Sequence, residues 1–312
     1  MSLFPDFRDS GKLSQVLMAA AALLGFGLLA LFLISGVLLY RVISPPAAGG
    51  GLSPDSLLGR PSVVSFSAPG GTVEGLFFPG RSTAPTVVLC HAYLSNRDEL
   101  LTLVTTLQEH QYNVFAFDFS GHGRNKKLST LGYRETQELL AAISAVAARD
   151  DVDRTRFGVW GTGLGAYAAA SAAGSDPRIR AIALDSVYND PMDFLDLQIE
   201  RSGLNVLPFT PMICRLAFRL MNFSARKAPA LSERLAALPG VAKLFVQAND
   251  NRALAASTAE LFMKAAMPRQ QMIVSKSNYA AMNSDDKHEY ENNIVQFFLE
   301  NLPAVGAAPP PR

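Results

Sequence analysis

The sequence predicts an α/β domain with a mostly parallel central sheet and helices on both faces, preceded by one N-terminal transmembrane helix. Three observations carry the prediction. Short apolar runs of strand length alternate with helical stretches of roughly 10 to 15 residues, the pattern left by crossover helices between parallel strands. The segment Phe157-Gly158-Val159-Trp160-Gly161-Thr162-Gly163-Leu164-Gly165-Ala166 reads as a strand, a tight glycine turn and the first turn of a helix. Residues 13–40 contain no charged side chain and are rich in Leu, Ala, Phe and Val.

In chain order, residues 1–12 are expected to be an N-terminal tail and 13–42 the transmembrane helix. A helix over this run reaches roughly 40 Å at about 1.5 Å per residue, longer than the ~30 Å hydrocarbon core. The apolar part of a cleaved signal peptide, the competing reading, is about 7 to 15 residues and ends at a small-residue site. Arg8 and Lys12 precede the helix and Arg41 follows it. With the terminal amine, these cations favour the N-terminus inside and the domain on the extracytoplasmic side.

Residues 43–57, with Ser44-Pro45-Pro46 followed by Ala and Gly, have the composition of a flexible linker with a stiff start. The globular domain is expected over 58–303. It opens with two β-rich runs, 62–66 and 73–78, joined across Pro69-Gly70-Gly71 as a hairpin at the sheet edge. Buried-strand runs follow at 86–90, 112–118, from Phe157, and at 179–184, 242–247 and 270–274. Between the runs at 179–184 and 242–247, residues 207–221 are an amphipathic helix candidate with Arg215 and Arg219 on one side. Such stripes usually pack on their own domain, with a bilayer or a partner as the alternative. Residues 304–312, ending in three prolines and Arg312, read as an unstructured tail.

A glycine turn alone is a weak signal, because small residues at this spacing also suit phosphate loops and close helix packing. Its surroundings are more specific. The run ending at Cys90 enters His91-Ala92-Tyr93-Leu94-Ser95-Asn96-Arg97-Asp98-Glu99-Leu100. The next strand run enters Phe119-Ser120-Gly121-His122-Gly123-Arg124-Asn125, and Thr130-Leu131-Gly132-Tyr133-Arg134-Glu135 precedes a helical pattern through Ala148. Over residues 61–302 the chain resembles the membrane-anchored, serine-aminopeptidase-like branch of the α/β-hydrolase superfamily. The first loop is similar to the HG-x-x-S-N-x-x-E-L stretch that builds half of an oxyanion hole, the second to the GHG loop, and 157–166 to the nucleophile elbow G-x-S-x-G.

The resemblance implies a triad in the order nucleophile, acid, histidine, and none of the three positions is intact. Gly163 stands at the serine's place. Gln247-Ala248-Asn249-Asp250-Asn251 matches the family's H-G-x-x-D turn with Asn251 at the acid's place, and a loop one residue shorter would bring Asp250 there. Tyr279 stands at the histidine's place. The losses belong together, since serine is a weak nucleophile without an adjacent imidazole and the carboxylate orients that imidazole. The elbow backbone also costs a side-chain-bearing residue on the order of 1 to 3 kcal/mol, whereas glycine adopts it with little strain. The resemblance further implies a short helical lid at about 188–230 and oxyanion-hole-like backbone donors at Tyr93 and Leu164, with His91, Ala92, Thr162 and His122 in the surrounding loops.

Substitute groups are weaker readings. Thr162 is one residue early, and centring the motif on it would put Trp160 and Leu164 where glycine is needed. Cys90 ends a core strand and reads as a small buried hydrophobe. His91 is expected to be a neutral imidazole bonded to nearby backbone, and His110, His122 and His288 to be ordinary polar positions. Tyr279, with an ordinary pKa of about 10, is a poor base at neutral pH and reads as an aromatic plug. The 4 histidines are scattered and the 2 cysteines, Cys90 and Cys214, are unpaired in spacing, so neither a metal site nor a cofactor is expected. With 28 basic and 27 acidic residues mixed along the chain and a net charge of +1, no footprint for nucleic acid is present. Two function classes remain. One is a membrane-tethered hydrolase-fold protein that has lost covalent serine catalysis and binds a small apolar ligand or a protein partner. The other is an ester, thioester or peptide hydrolase with a relocated group such as Ser186, Ser277, or Asp250 with Tyr279.

Overall fold

Pro69 and Gly70 turn the chain so that Ala68 faces Gly71, pairing β1 (Ser62–Ala68) antiparallel with β2 (Gly71–Phe78) in the computed structural model. The structure describes residues 7–46, 61–225, 229–276 and 279–304. β2 pairs antiparallel with β4 (Asn113–Phe117); β3 (Thr86–Cys90), β5 (Phe157–Thr162), β6 (Ile179–Asp185), β7 (Ala242–Ala248) and β8 (Arg269–Val274) continue the sheet in parallel. The eight-stranded sheet has the order β1-β2-β4-β3-β5-β6-β7-β8. Every residue of β3, β4 and β5 is buried, which is why these strands read as continuous apolar runs rather than alternating ones.

Two cores flank the sheet. One joins Phe66, Phe115, Phe117 and Val159 to α3 (Tyr133–Ala147) and α4 (Leu164–Ala173). All ten residues of α4 are buried, and its alanines let a helix lie flat against strands. The other core packs Trp160 with α2 (Leu101–Glu109) and the last helix, α9 (Ser284–Asn301). α7 (Leu231–Ala236) and α8 (Arg252–Lys264) flank β7.

Between β6 and β7 the lid contains two principal helices where the sequence singled out one. α5 (Pro191–Arg201) starts where the Asp190 carboxylate accepts the Met192 N–H at 2.7 Å and Pro191 presets the first turn. α6 (Thr210–Met221) begins three residues later than expected, because Phe209 takes a left-handed φ of 64° before Pro211 starts the helix.

The N-terminal helix α1 runs from Phe7 to Ile43, beyond the expected 13–42 at both ends. Within it, Ser14–Ile43 is long and apolar enough to cross a membrane. Its last turns correct the picture of a freely tethered helix. Ser35, Leu38, Leu39, Val42 and Ile43 are buried against the domain, at the 3 and 4 spacing that marks one helix face. A helix leaves its final carbonyls without partners inside it, and the domain supplies them. The Tyr93 hydroxyl donates to Val42 O at 3.0 Å and Ser129 N–H to Ile43 O at 2.7 Å, while further back, inside the helix, the Cys214 thiol donates to Ser35 O at 3.4 Å. Residues 47–57 of the expected linker and 305–312 of the expected tail lie outside the described residues.

Removing residues 1–34 is therefore expected to leave the domain's melting temperature within a few degrees of the native value. Removing residues 1–46 exposes the sites of Leu38, Leu39, Val42 and Ile43 and should cost about 4 kcal/mol or more, a fall of roughly 10 °C. Equal melting temperatures for the two truncations, read by circular dichroism, would refute the docking.

Candidate functional site

The turn from β5 into α4 is built by three glycines with different duties. A Cβ on Gly161 would lie 2.4 Å from the Gly165 carbonyl carbon, and one on Gly165 would lie 2.1 Å from Cys90 O. These contacts are with backbone, so neither position tolerates a side chain. Gly163 is the apex, at φ 53° and ψ −107°, and a Cβ there would meet nothing within 4 Å. Thr162 belongs to β5 and is buried. The apex is fixed by Gly163 N–H donating to Asp185 O at 2.8 Å and Tyr167 N–H donating to Gly163 O at 3.0 Å. Leu164 opens α4, so its N–H has no acceptor within the helix.

The loop after β3 is held by its own polar residues. Asn96 accepts the Asp98 N–H at 2.9 Å, the Ser95 hydroxyl donates to Glu99 at 2.6 Å, and Asp118 accepts the N–H groups of Arg97 at 2.9 Å and Arg124 at 3.0 Å. His91 lies beneath this loop. Phe119 N–H donates to its Nε2 at 3.0 Å, so the proton sits on Nδ1, which donates to Ala92 O at 2.8 Å. Burial, with His122 alongside, lowers its pKa to about 4. His122 packs 5.2 Å from the His91 ring and 5.5 Å from Tyr93, with Nδ1 2.9 Å from Ser120 O, and burial lowers its pKa too. Both imidazoles are neutral at pH 7 and support the loop.

One cavity of about 310 Å³ brings together Ala92, Tyr93, Thr162, Gly163, Asn251 and Tyr279, with Ser186, Glu99 and Arg201 beside them. Leu164, His91, His122 and Asp250 do not line it. Asp250 is exposed, whereas Asn251 caps α8 by accepting the Leu254 N–H at 3.2 Å. Tyr279 is buried, with its ring 5.6 Å from both Trp160 and Tyr290. Its hydroxyl donates to Glu291 and lies 2.7 Å from Thr102 Oγ1. Burial and the Glu291 carboxylate push its ionisation far up, so it is a neutral phenol held in the layer between α2 and α9. Cys90 is fully buried and desolvation raises its thiol strongly, which removes it as a thiolate nucleophile. Among the described residues no cluster of His, Cys, Asp and Glu is placed to hold a metal ion. Ser277 lies outside the described residues.

Sequence reading missed a buried polar chain under the elbow. Trp160 Nε1 donates to the Tyr290 hydroxyl at 3.0 Å, that hydroxyl donates to Asp185 at 2.8 Å, and the Ser186 hydroxyl donates to the other Asp185 oxygen at 2.8 Å. Burial pushes the Asp185 carboxyl up to about 7. Its one sequence signal was an acid ending an apolar strand run.

With the geometry in view, comparison with known proteins gives a consistent result. A family model described as alpha/beta hydrolase fold matches residues 85–211. The chain is 32% identical over 150 residues to the uncharacterised YfhR protein of Escherichia coli, covering 45% of this chain and 52% of that protein. It is 30% identical over 158 residues to an uncharacterised Mycobacterium tuberculosis protein, covering 46% and 54%. The match thus spans about half the length of these relatives. Among solved structures, a Pyrococcus furiosus esterase superposes with a TM-score of 0.65 at 18% identity, covering 84% of this chain and 99% of that one. Carboxyl esterase 2 of Tuber melanosporum gives 0.60 at 16% identity, covering 83% and 92%.

Asp185 provides a pH test. Its carboxyl ionises at its ordinary value of 3.8 in the unfolded chain and at about 7 in the fold. Between those values the unfolded chain releases its proton first, so this group lowers stability as pH rises through that window. Asp185→Asn removes the effect. The melting temperature of the variant minus that of the native protein should increase by several degrees from pH 4.5 to 8, and a difference that stays flat would contradict the assignment.

Proposed function

Taking the α/β-hydrolase fold of this chain as the premise, we propose that the protein is a single-pass membrane protein whose hydrolase-like domain has lost covalent serine catalysis and binds a small apolar ligand. The observation that carries the reading is the apex of the elbow, where Gly163 presents no side chain to a cavity that has room for one. Acyl transfer through a serine requires an attacking oxygen, a base to take its proton and a charged group to orient that base. At the matching places stand a glycine, a phenol bonded to Glu291, and an amide that caps α8. What persists is a cavity with the loop and helix N-terminus that would bind a polarised oxygen, which serves recognition without bond cleavage. The resemblance to the serine-aminopeptidase-like branch supports the position-by-position assignment of Gly163, Asn251 and Tyr279. The length of the apolar run in α1 supports a membrane span over a signal sequence, and its flanking cations support an extracytoplasmic domain.

A second reading has one specific observation behind it. Ser186 lines the same cavity, holds a positive φ of 52°, and donates its hydroxyl to Asp185. A serine beside a carboxylate of raised pKa is a possible relocated nucleophile and base. It is the weaker reading because Ser186 is only 2% exposed and no imidazole contacts it among the described residues.

The two readings separate on the native, full-length protein. With a serine-reactive phosphonate and a short-chain aryl ester, the expected outcome is no labelling and no turnover above the uncatalysed rate. Labelling or turnover that disappears in Ser186→Ala would overturn the first reading and establish the second.

A further inference from the structure

Beside the elbow cavity lies a groove of about 630 Å³, and the two share Tyr93, Leu94 and Arg201. One wall is the exit end of α1, with Leu33, Val37 and Leu38; the other is the end of α5 and the turn at Leu204. We infer that this groove holds the single acyl chain of an anionic lipid drawn sideways from the bilayer, its tail along α1 and its acidic headgroup at Arg41 and Arg201. The inference rests on the proposed reading of α1 as a membrane span and of the domain as a ligand binder.

Depth is the first argument. Residues 14–29 of α1 are exposed throughout, and Ser35 is the first buried residue of the face that docks on the domain. The stretch 14–34 measures roughly 32 Å as a helix, close to the ~30 Å hydrocarbon thickness. The groove begins at Leu33 and Ile34, so its mouth opens at the edge of the hydrocarbon layer.

Charge is the second. The lining includes Arg41 and Arg201 and no Asp or Glu. Among the described residues neither arginine makes an ion pair or a side-chain hydrogen bond, whereas Arg215 nearby on α6 is paired with Asp196 at 2.6 Å. Two unpaired guanidinium groups on an apolar groove complement one carboxylate or phosphate. A neutral chain would leave them without a counterpart.

The lid supplies the third. α6 packs on α1 through Cys214 at Ser35, and its opposite side carries Met212, Leu216 and Leu220, with Phe209 at its start, all between 57% and 68% exposed. Such a face suits the bilayer interface. It turns an apolar surface outward beside the helix that forms one wall of the groove. Tyr93, bonded to Val42 O, stands between the groove and the elbow cavity, and Arg201 lines both. The headgroup therefore rests next to the open space at Gly163.

The test is equilibrium binding of radiolabelled oleate to the full-length protein in phosphatidylcholine nanodiscs, corrected for partition into empty nanodiscs. Oleate should bind saturably at one per chain, oleyl alcohol at least tenfold more weakly, and acetate should not compete. Arg41→Gln and Arg201→Gln, both at exposed side chains, should each weaken oleate about tenfold while leaving the alcohol within threefold. Val37→Trp should block both, with circular dichroism confirming that each variant folds. Absence of saturable oleate binding, oleate affinity unchanged in the double arginine variant, or a polypeptide that occupies the groove and excludes oleate would each overturn the inference. Phosphonate labelling of the same preparation keeps the outcomes apart. A labelled protein that binds oleate sinks the loss of catalysis alone, and an unlabelled protein that fails to bind oleate sinks the lipid site alone.

Discussion

The close approach of three backbones at the exits of β3 and β5 is the constraint on which the site depends. Gly165 lies against Cys90 O and Gly161 against Gly165, with no room for a methyl group at either glycine. That packing sends the chain between them through a sharp reversal, whose apex, Gly163, sits at φ 53° and ψ −107°. Glycine occupies this apex with little strain, and the neighbouring space is empty. The geometry of the turn is thus set by Gly161 and Gly165 and does not depend on a side chain at residue 163.

A second dependence runs from α1 to the site. The orphan carbonyls at the end of α1 are satisfied by Tyr93 and Ser129, which belong to the loops after β3 and β4. Tyr93 also stacks edge-on against Phe194 of α5 and against His122. α5, the end of α1 and the loop beside Gly163 therefore share one packed junction. The orientation of the domain relative to α1 is therefore fixed by packing and hydrogen bonds at the helix end.

The strands were legible because a parallel sheet buried on both faces writes itself as uninterrupted apolar runs, and the elbow because steric contacts at Gly161 and Gly165 leave a fixed spacing. The docking face of α1 was not. Its buried residues, Ser35, Leu38, Leu39, Val42 and Ile43, lie in a run that is apolar all round, so the helical period has no contrast to show. The chain from Trp160 through Tyr290 to Asp185 was also hidden, since it joins residues 130 and 105 positions apart. The one-residue ambiguity between Asp250 and Asn251 had a local cause. Both sit in the turn after β7, and only the cap of α8 decides which side chain lines the cavity. The start of α6 was misplaced for a similar reason, a single left-handed residue at Phe209 that composition does not announce.

The most direct measurement is the unfolding free energy of the native protein beside Gly163→Ala and Gly163→Ser. If the apex is a strained turn that glycine alone relieves, both substitutions lower stability by about 1 to 3 kcal/mol and by nearly the same amount, since the cost lies in the backbone and the space beside it is empty. Unchanged or increased stability in either variant would show that residue 163 is not at a strained elbow, and the account would fail with it.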